Sequence, residues 1–454
     1  MDISCGWVVG EWLLPYTRSV SLLVTLVLGM SLLLVLREVV IPKQRFSQAI
    51  TALFFAGAIG LFWVGYAPAL RGLAQGTPVD VDPWHIFHYD LNARYFDELG
   101  YTDLYSCALR ADEAGAHFLD QVQEVRDLKT YTLVSRSVLL PCTQERFSSD
   151  RWRAFQADLS GIIKFLPVPT AVEYQSWEGD QDRYWQGIFQ DKGYNLSPFA
   201  ARLTQAFFEI LPDTRWQQWR VIFLTELIFL FFAIIGIWYA FSARTAALFA
   251  LLLTTFWGTY PFLTNMLLQH LWLPFVVFGL VAWNKEWKIA SVVFLTGASA
   301  MRLFPIVFLL PVFWDIASAL RKKEERRGSL VLLAAAIVMG VTAFFIGGPI
   351  SIWQEYFEKI STHRAFLGHE LFNIGWPTIA GRLLPDSKLL VVIGAIAITG
   401  AYVFFLRRAS TMPRMIFGMV IAFAWLSLSP YYYLMLPLFA LLQPLLLTRT
   451  ARIS

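Results

Sequence analysis

Long apolar runs separated by short polar connections make up most of this chain, and one long polar stretch interrupts them near the N-terminus. As a helix, an apolar run of about 20 residues can cross a hydrocarbon core of roughly 30 Å. The runs close to this length are 20–39, 50–70, 221–241, 246–262, 266–283, 289–314, 330–346, 389–406, 416–428 and 431–447. The pattern predicts an all-α polytopic membrane protein, with about 10 or 11 transmembrane or re-entrant helices and a large loop domain.

This pattern divides the chain into five regions. Residues 1–70 hold two predicted transmembrane helices, and 71–218 form the polar loop domain with an interface helix. Residues 219–347 hold further transmembrane helices with a re-entrant hairpin, 348–388 form a second loop, and 389–454 hold the C-terminal transmembrane helices. Composition agrees, because only 15% of the residues are charged, against about 25% in soluble domains.

Basic residues set the predicted orientation. They cluster at 37–45, 244, 285–288, 321–327, 407–414 and 449–452, and the positive-inside rule places such clusters in the cytoplasm. Segment 289–314 has basic flanks at both ends and holds Arg302 and Pro305 in its middle. We therefore predict a re-entrant hairpin broken at 300–305, since irregular backbone at membrane depth is tolerated where it lines a cavity. Both polar loops then face the periplasm of a bacterial inner (cytoplasmic) membrane.

The beginning of the loop domain has helical periodicity. Ile86, Tyr89, Ala93 and Phe96 recur at helical spacing, with Gly100 after them. The pattern predicts an amphipathic helix that lies on the membrane interface and ends at Gly100.

Two of the three cysteines, Cys107 and Cys142, lie in this loop domain. In an oxidising compartment such as the periplasm they can form a disulfide. The alternative, two unrelated thiols, stays open from the sequence.

Acidic and imidazole side chains are concentrated at the start of the loop domain. Asp80, Asp82 or Asp90 could act as a general base that takes a proton from a sugar hydroxyl; the alternative is a solvated loop acid. His85 and His88 could bind substrate, or hold a metal ion together with an aspartate. Hydrogen-bonding histidines are the more common outcome at this spacing.

Arg302 is the strongest single candidate for a binding residue. An arginine inside an apolar segment costs about 2.5–3.5 kcal/mol on insertion scales, which makes it a functional-site hypothesis by default. Its planar guanidinium can hold a phosphate through two hydrogen bonds. The alternative is a side chain that reaches the membrane interface.

Other polar residues occur where predicted helices end or in the predicted far-side loops, and they are further candidates for substrate binding. Asn265 and Gln269 either line a polar cavity or mark a helix end. The remaining candidates are Asp191, Asn195, His363, Arg364, His369 and Asn373.

Several segments taken in order resemble a known family. They are 87–96 with Leu104-Tyr105, 265–269, 302–311 and 428–433. Together they resemble the polyprenyl-phosphate-mannose-dependent mannosyltransferases of the GT-C superfamily of membrane glycosyltransferases. The chain departs from that pattern at the catalytic aspartate, whose expected place is nearest His85. The base therefore stays open between Asp82, Asp80 and Asp90.

The resemblance implies an inverting glycosyltransferase. It would move mannose or a related sugar from a polyprenyl-phosphate donor to a lipid or glycan acceptor on the periplasmic face, with the phosphate beside Arg302. Membrane lipids are its other expected partners, and no binding of nucleic acid is expected. No cofactor is required, although a divalent cation is compatible with this chemistry. A transporter or flippase of lipid-linked sugars is the alternative, because it would also need a buried arginine in a helical bundle.

Overall fold

The architecture comes from a computed structural model. It describes residues 48–60, 83–115, 117–139, 141–165, 181–210, 215–255, 270–322, 325–367, 375–383, 387–428 and 430–442. Within these ranges the protein is predominantly helical, as the sequence predicts.

The loop domain is built from short helices. Its α-helices, after α1 (Gln48–Gly60), are α2 (Pro83–His85), α3 (Asn92–Arg94), α4 (Phe96–Leu99), α5 (Leu104–Glu113), α6 (Ser149–Phe165), α7 (Gln181–Phe189) and α8 (Pro198–Ile210). A π-helical segment, Ile86–Leu91, joins α2 to α3, and 3₁₀ turns occupy Arg136–Val138 and Gln144–Arg146. The prediction of purely helical structure is wrong in one detail, because β1 (Glu124–Arg126) and β2 (Leu133–Ser135) form an antiparallel hairpin.

The helical bundle follows. Its α-helices are α9 (Arg215–Ala240), α10 (Ala243–Thr255), α11 (Trp272–Asn284), α12 (Lys288–Met301), α13 (Leu310–Ala319), α14 (Arg326–Gly347), α15 (Ile350–Leu367), α16 (Trp376–Leu383), α17 (Lys388–Leu406), α18 (Thr411–Phe417) and α19 (Met419–Trp425). The predicted loop 348–388 is thus largely helical. Predicted span 431–447 is a 3₁₀ helix over Pro430–Leu442, and Pro437 inside it cannot donate the backbone hydrogen bond that an α-helix needs there.

Two helices of the bundle, α14 and α17, are long and apolar enough to cross a membrane. They coincide with predicted spans 330–346 and 389–406. Their apolar side chains are largely uncovered by protein, and Phe345 and Phe405 are 74% and 77% exposed. Faces of this kind are unusual on soluble monomers. Membrane insertion of these two helices and of the others stays a prediction.

The predicted break at 300–305 is confirmed. Helix α12 ends at Met301, Arg302 is extended (φ −138°, ψ 136°), and a 3₁₀ turn, Phe304–Phe308, leads into α13. Pro305, the second residue of this turn, lacks an amide hydrogen, so the α-helix cannot continue through it.

The segment predicted as a helix on the membrane interface is buried, so the predicted surface position is wrong. Every residue from Ile86 to Leu91 is buried, and so are Asn92, Ala93, Tyr95 and Phe96. A helix on a membrane surface would keep one polar face in water, whereas this segment is the core of the loop domain. The predicted end is correct, since Gly100 caps α4 with φ 55°.

The predicted disulfide is present and joins two parts of the loop domain. Cys107 in α5 is bonded to Cys142, which precedes the Gln144–Arg146 turn. The domain rests on the bundle through α8, which packs against α12 and α14. The candidate site described next lies at this junction.

Candidate functional site

Arg302 lies where the loop domain meets the bundle. Its guanidinium Nη1 donates to Asn195 Oδ1 over 3.0 Å, and the Tyr89 hydroxyl donates to the same oxygen over 3.0 Å. Tyr432 also contacts Nη1 at 3.4 Å. Arg302 and Asn195, both predicted as binding residues, are therefore brought into direct contact. Tyr432, in the 3₁₀ helix Pro430–Leu442, is thus a further contact of the Arg302 guanidinium.

The local chain conformation explains how Asn195 reaches Arg302. Gly193 takes φ 67°, a conformation that glycine adopts without steric cost, and Leu128 packs against its α-carbon. Two residues after Asn195, the Ser197 hydroxyl donates to the carbonyl of Ala300, the next-to-last residue of α12. Segment 191–197 is thus fixed to the end of α12 on one side and to the loop domain on the other.

A second group surrounds Asp191. Its Oδ2 accepts a hydrogen bond from Trp84 Nε1 at 3.2 Å and lies 3.8 Å from His88 Nδ1. The carboxyl side chain is 27% exposed whereas His88 is fully buried, so Asp191 is the member of this group that an incoming molecule can reach. Asp191 and His88, predicted separately, therefore form one pair.

The hydrogen bonds of His88 fix its tautomer. Nδ1 lies 2.8 Å from the Trp84 carbonyl oxygen, which can only accept, so Nδ1 carries the hydrogen. Nε2 then accepts from the Tyr105 hydroxyl at 2.7 Å. Burial lowers the pKa of His88 to about 4, and the ring is neutral at pH 7. With both nitrogens engaged by Trp84 and Tyr105, His88 is not available as a metal ligand.

The environment keeps Asp191 ionised. Burial acts to raise the pKa of its carboxyl group, but the electrostatic influence of the His88 ring, the charge of Lys192 and hydrogen bonds from the Lys192 backbone and the Trp84 side chain outweigh it, so the pKa is lowered. A carboxylate with a depressed pKa accepts hydrogen bonds and can act as a base at neutral pH.

The third group lies on α15. Lys359 is buried, and its Nζ donates to the Tyr101 carbonyl at 2.9 Å. One helical turn later, His363 Nδ1 lies 3.2 Å from the Tyr131 hydroxyl. Burial lowers the pKa of Lys359 to about 7, opposed by the charge of Asp191. Burial also lowers the pKa of His363 to about 3, with the charges of Lys192 and Lys359 acting in the same direction.

These groups form one electrostatic unit. Arg302 and Asp191 both act on Tyr89, whose pKa is raised chiefly by burial, and both also act on His363. Arg302, Lys192 and Lys359 bring positive charge to this region, and Asp191 brings one negative charge. The balance favours an anionic ligand with a polar group beside Asp191. We call Arg302, Asn195, Asp191, Lys359 and His363 the junction site.

Asp90, a predicted catalytic residue, belongs to a different set of contacts. Its Oδ1 pairs with Arg94 at 3.5 Å, and Arg94 also lies 3.6 Å from Asp158. The carboxyl group is buried in this ion-pair network inside the loop domain. These contacts are those of a buried ion pair, and a catalytic role of Asp90 stays a prediction.

Several predicted residues lie outside the described part of the chain. They are Asp80, Asp82, Asn265, Gln269, His369 and Asn373. Arg364 belongs to α15, but its side chain is not among those described. His85 packs its ring 6.2 Å from that of Tyr89, next to the junction site.

Metal binding was a weaker expectation. Among the described residues, no group of three or more His, Cys, Asp or Glu side chains has an arrangement that could hold a metal ion. Asp80 and Asp82 lie outside the described residues, so a metal site that uses either of them stays a prediction.

Sequence reasoning missed Lys359, Tyr131 and Tyr432. Lys359 lies four residues before His363 in a segment predicted as a loop, and this spacing would have placed the two on one helix face had the segment been recognised as helical. Tyr131 comes from the β1–β2 turn, and no local pattern connects it with α15.

No protein-family model matches this chain, and neither a curated protein nor a solved structure shows significant similarity to it.

Proposed function

We propose that this protein is an inverting glycosyltransferase that moves a sugar from a polyprenyl-phosphate donor to a lipid or glycan acceptor, with mannose or a related sugar as the donor unit. The observation that carries the proposal is the junction site, where buried Arg302 and Lys359 and the partly exposed carboxylate of Asp191 all act electrostatically on His363. The site lies between a polar domain and a bundle with lipid-compatible faces. This position suits a substrate with a hydrophobic chain and a charged head.

The cationic half of the site fits the phosphate. Arg302 and Lys359 are both buried, and charge-assisted hydrogen bonds are stronger in such surroundings than in water. Arg302 already binds Asn195 and contacts Tyr432, which hold its guanidinium in place. Arg302 would stabilise the negative charge that develops on the leaving phosphate.

Asp191 is the described carboxylate best placed to be the base. The acceptor hydroxyl would give its proton to Asp191 while its oxygen forms a bond to the anomeric carbon. The bond from that carbon to the phosphate oxygen breaks, and its electron pair leaves with the polyprenyl phosphate. Attack from the side opposite the phosphate inverts the configuration. Asp82 and Asp80 remain alternative bases from the sequence.

The test is sugar transfer by the purified full-length protein in lipid vesicles. Polyprenyl-phosphate-mannose and polyprenyl-phosphate-arabinose serve as donors, and membrane lipid and glycan extracts serve as acceptors. Asp191→Asn should lower kcat at least about 100-fold, the usual scale for loss of a general base, with donor binding changed only a few-fold. Arg302→Met should weaken donor binding at least about 30-fold, corresponding to roughly 2 kcal/mol.

The controls separate the base from its alternatives. Asp120→Asn changes an exposed loop-domain acid and should leave transfer unchanged. Transfer abolished by Asp82→Ala or Asp80→Ala, but not by Asp191→Asn, would reassign the base. No transfer from either donor by folded protein, with movement of the lipid-linked sugar across the vesicle bilayer, would favour the flippase instead.

A further inference from the structure

A groove on the bundle surface, away from the junction site, is lined by two neighbouring helices. Residues of α17 and the end of α19 line this open groove, whose volume is about 470 Å³. The lining is mostly apolar and also includes Thr399 and Arg407. The residues that matter here are Ile396, Gly400, Val403, Phe404, Trp425 and Arg407.

The floor of the groove is fixed and its centre is open. Trp425 Nε1 donates to the Thr399 hydroxyl at 2.9 Å, which holds the indole against α17. At Gly400, a β-carbon would meet no heavy atom within 4 Å. The absence of a side chain at this position therefore keeps the groove open along its length.

The length of the groove corresponds to one leaflet of a bilayer. Ile396 and Arg407 are separated by 11 positions of a helix, or about 16 Å at 1.5 Å per residue. This is about half of a 30 Å hydrocarbon core, the depth to which one acyl chain extends.

The end of the groove is basic. Arg407 lies over the Phe404 ring at 4.6 Å, and it forms no ion pair in the part of the chain that the structure describes. The next residue, Arg408, is exposed. By contrast, Arg414 pairs with Asp315 of α13 at 2.7 Å. The positive charge at the groove end is therefore available to an external anion.

We propose that this groove binds an anionic phospholipid, with an acyl chain along α17 and the headgroup phosphate at Arg407. Basic pockets between membrane helices bind anionic headgroups in this way. The inference rests on membrane insertion of α17, and it is independent of the proposed sugar transfer.

The experiment measures lipid binding to the delipidated full-length protein in neutral detergent, by native mass spectrometry. The probes are phosphatidylglycerol and phosphatidylcholine with the same oleoyl chains, and polyprenyl phosphate as a third lipid. The wild type should bind phosphatidylglycerol about fivefold more tightly at its strongest site, the contribution of roughly one arginine near an anionic lipid. Arg407→Ala should remove this preference, and Gly400→Leu should fill the groove and abolish the strongest site for both lipids.

Two matched variants on α14 control for charge and size. Arg327→Ala removes an exposed arginine, and Gly328→Leu adds a side chain where the space is also open; both should bind as the wild type does. Equal affinity of the wild type for the two lipids would overturn the proposal, as would an unchanged preference in Arg407→Ala. Tighter binding of polyprenyl phosphate than of phosphatidylglycerol in this groove would overturn it in favour of a donor-lipid site.

Discussion

Binding of the donor should be coupled to uptake of a proton by Lys359. Burial lowers the pKa of this amine to about 7 in the free protein, so at pH 8 it is only about one-tenth protonated. A phosphate beside it stabilises the ammonium form and raises its pKa. Each donor bound at pH 8 should therefore take up about 0.9 proton, against about 0.1 at pH 6.

The affinity follows from the same equilibrium. The protonated amine is the form that binds the anion, so donor affinity should fall about tenfold between pH 6 and pH 8. Other groups near Lys359 do not interfere, because His88 and His363 have pKa values of about 4 and 3, and Asp191 stays ionised over this range.

Folding stability without ligand has the opposite pH dependence. The folded state binds fewer protons than the unfolded state between about pH 7 and the ordinary lysine pKa of 10.5. The free energy of unfolding should therefore rise with pH across this interval, by about 5 kcal/mol at most at 1.36 kcal/mol per pKa unit. Below pH 7 this cost of burying the charge is present in full.

Isothermal titration calorimetry measures the proton uptake directly. A short-chain polyprenyl-phosphate-mannose is suitable, because its phosphodiester does not titrate between pH 6 and pH 9. Binding enthalpies in two buffers with different ionisation enthalpies give the number of protons taken up. Lys359→Met should abolish the buffer dependence, and Lys164→Met, at an exposed lysine, should retain it. Uptake below about 0.2 proton at pH 8 in the wild type would show that Lys359 is not protonated when the donor binds.

Three further predictions concern the framework of the site. Cys107→Ser should lower the free energy of unfolding by about 3–4 kcal/mol, the loop-closure value for a separation of 35 residues, measured as thermal unfolding with and without reductant. Asp90→Asn should lower the unfolding temperature because it disrupts the pair with Arg94, while kcat at permissive temperature stays within a few-fold; a 100-fold loss would make Asp90 catalytic. Gly193→Ala should destabilise the fold by at least about 1–2 kcal/mol and weaken donor binding, because its side chain would strain a positive φ and press on Leu128; unchanged stability would contradict this.

Arg302 and the break beside it could be predicted from local sequence. A charged residue and a proline inside an apolar segment each violate a requirement of an uninterrupted membrane helix, so the pattern alone identified the place where helix α12 ends. The number of cysteines is compatible with a disulfide or with two unrelated thiols, because a count gives no distance between their sulfur atoms.

The interface helix was misassigned because periodicity describes one chain segment and not its neighbours. Residues 86–96 have helical spacing, yet α6, α7 and α8 cover the segment from several sides. Its polar members then take structural roles: Asp90 pairs with Arg94, and His88 is held between Trp84 and Tyr105. Because these helices cover residues 86–96, Asp90 is buried in the loop domain, whereas Asp191 remains partly exposed at the junction site.

The helical class, the break at Arg302 and the apolar character of α14 and α17 can be predicted from the chain alone, since they depend on residues close together in sequence. Which polar residues share a site follows from the packing of distant segments. Asp191, Arg302 and Lys359 are distant in sequence and come into one region because α8 packs against α12 and α15, and because Ser197 is hydrogen-bonded to Ala300 near the end of α12. Charges interact through distance in space, and the sequence pattern does not contain that distance.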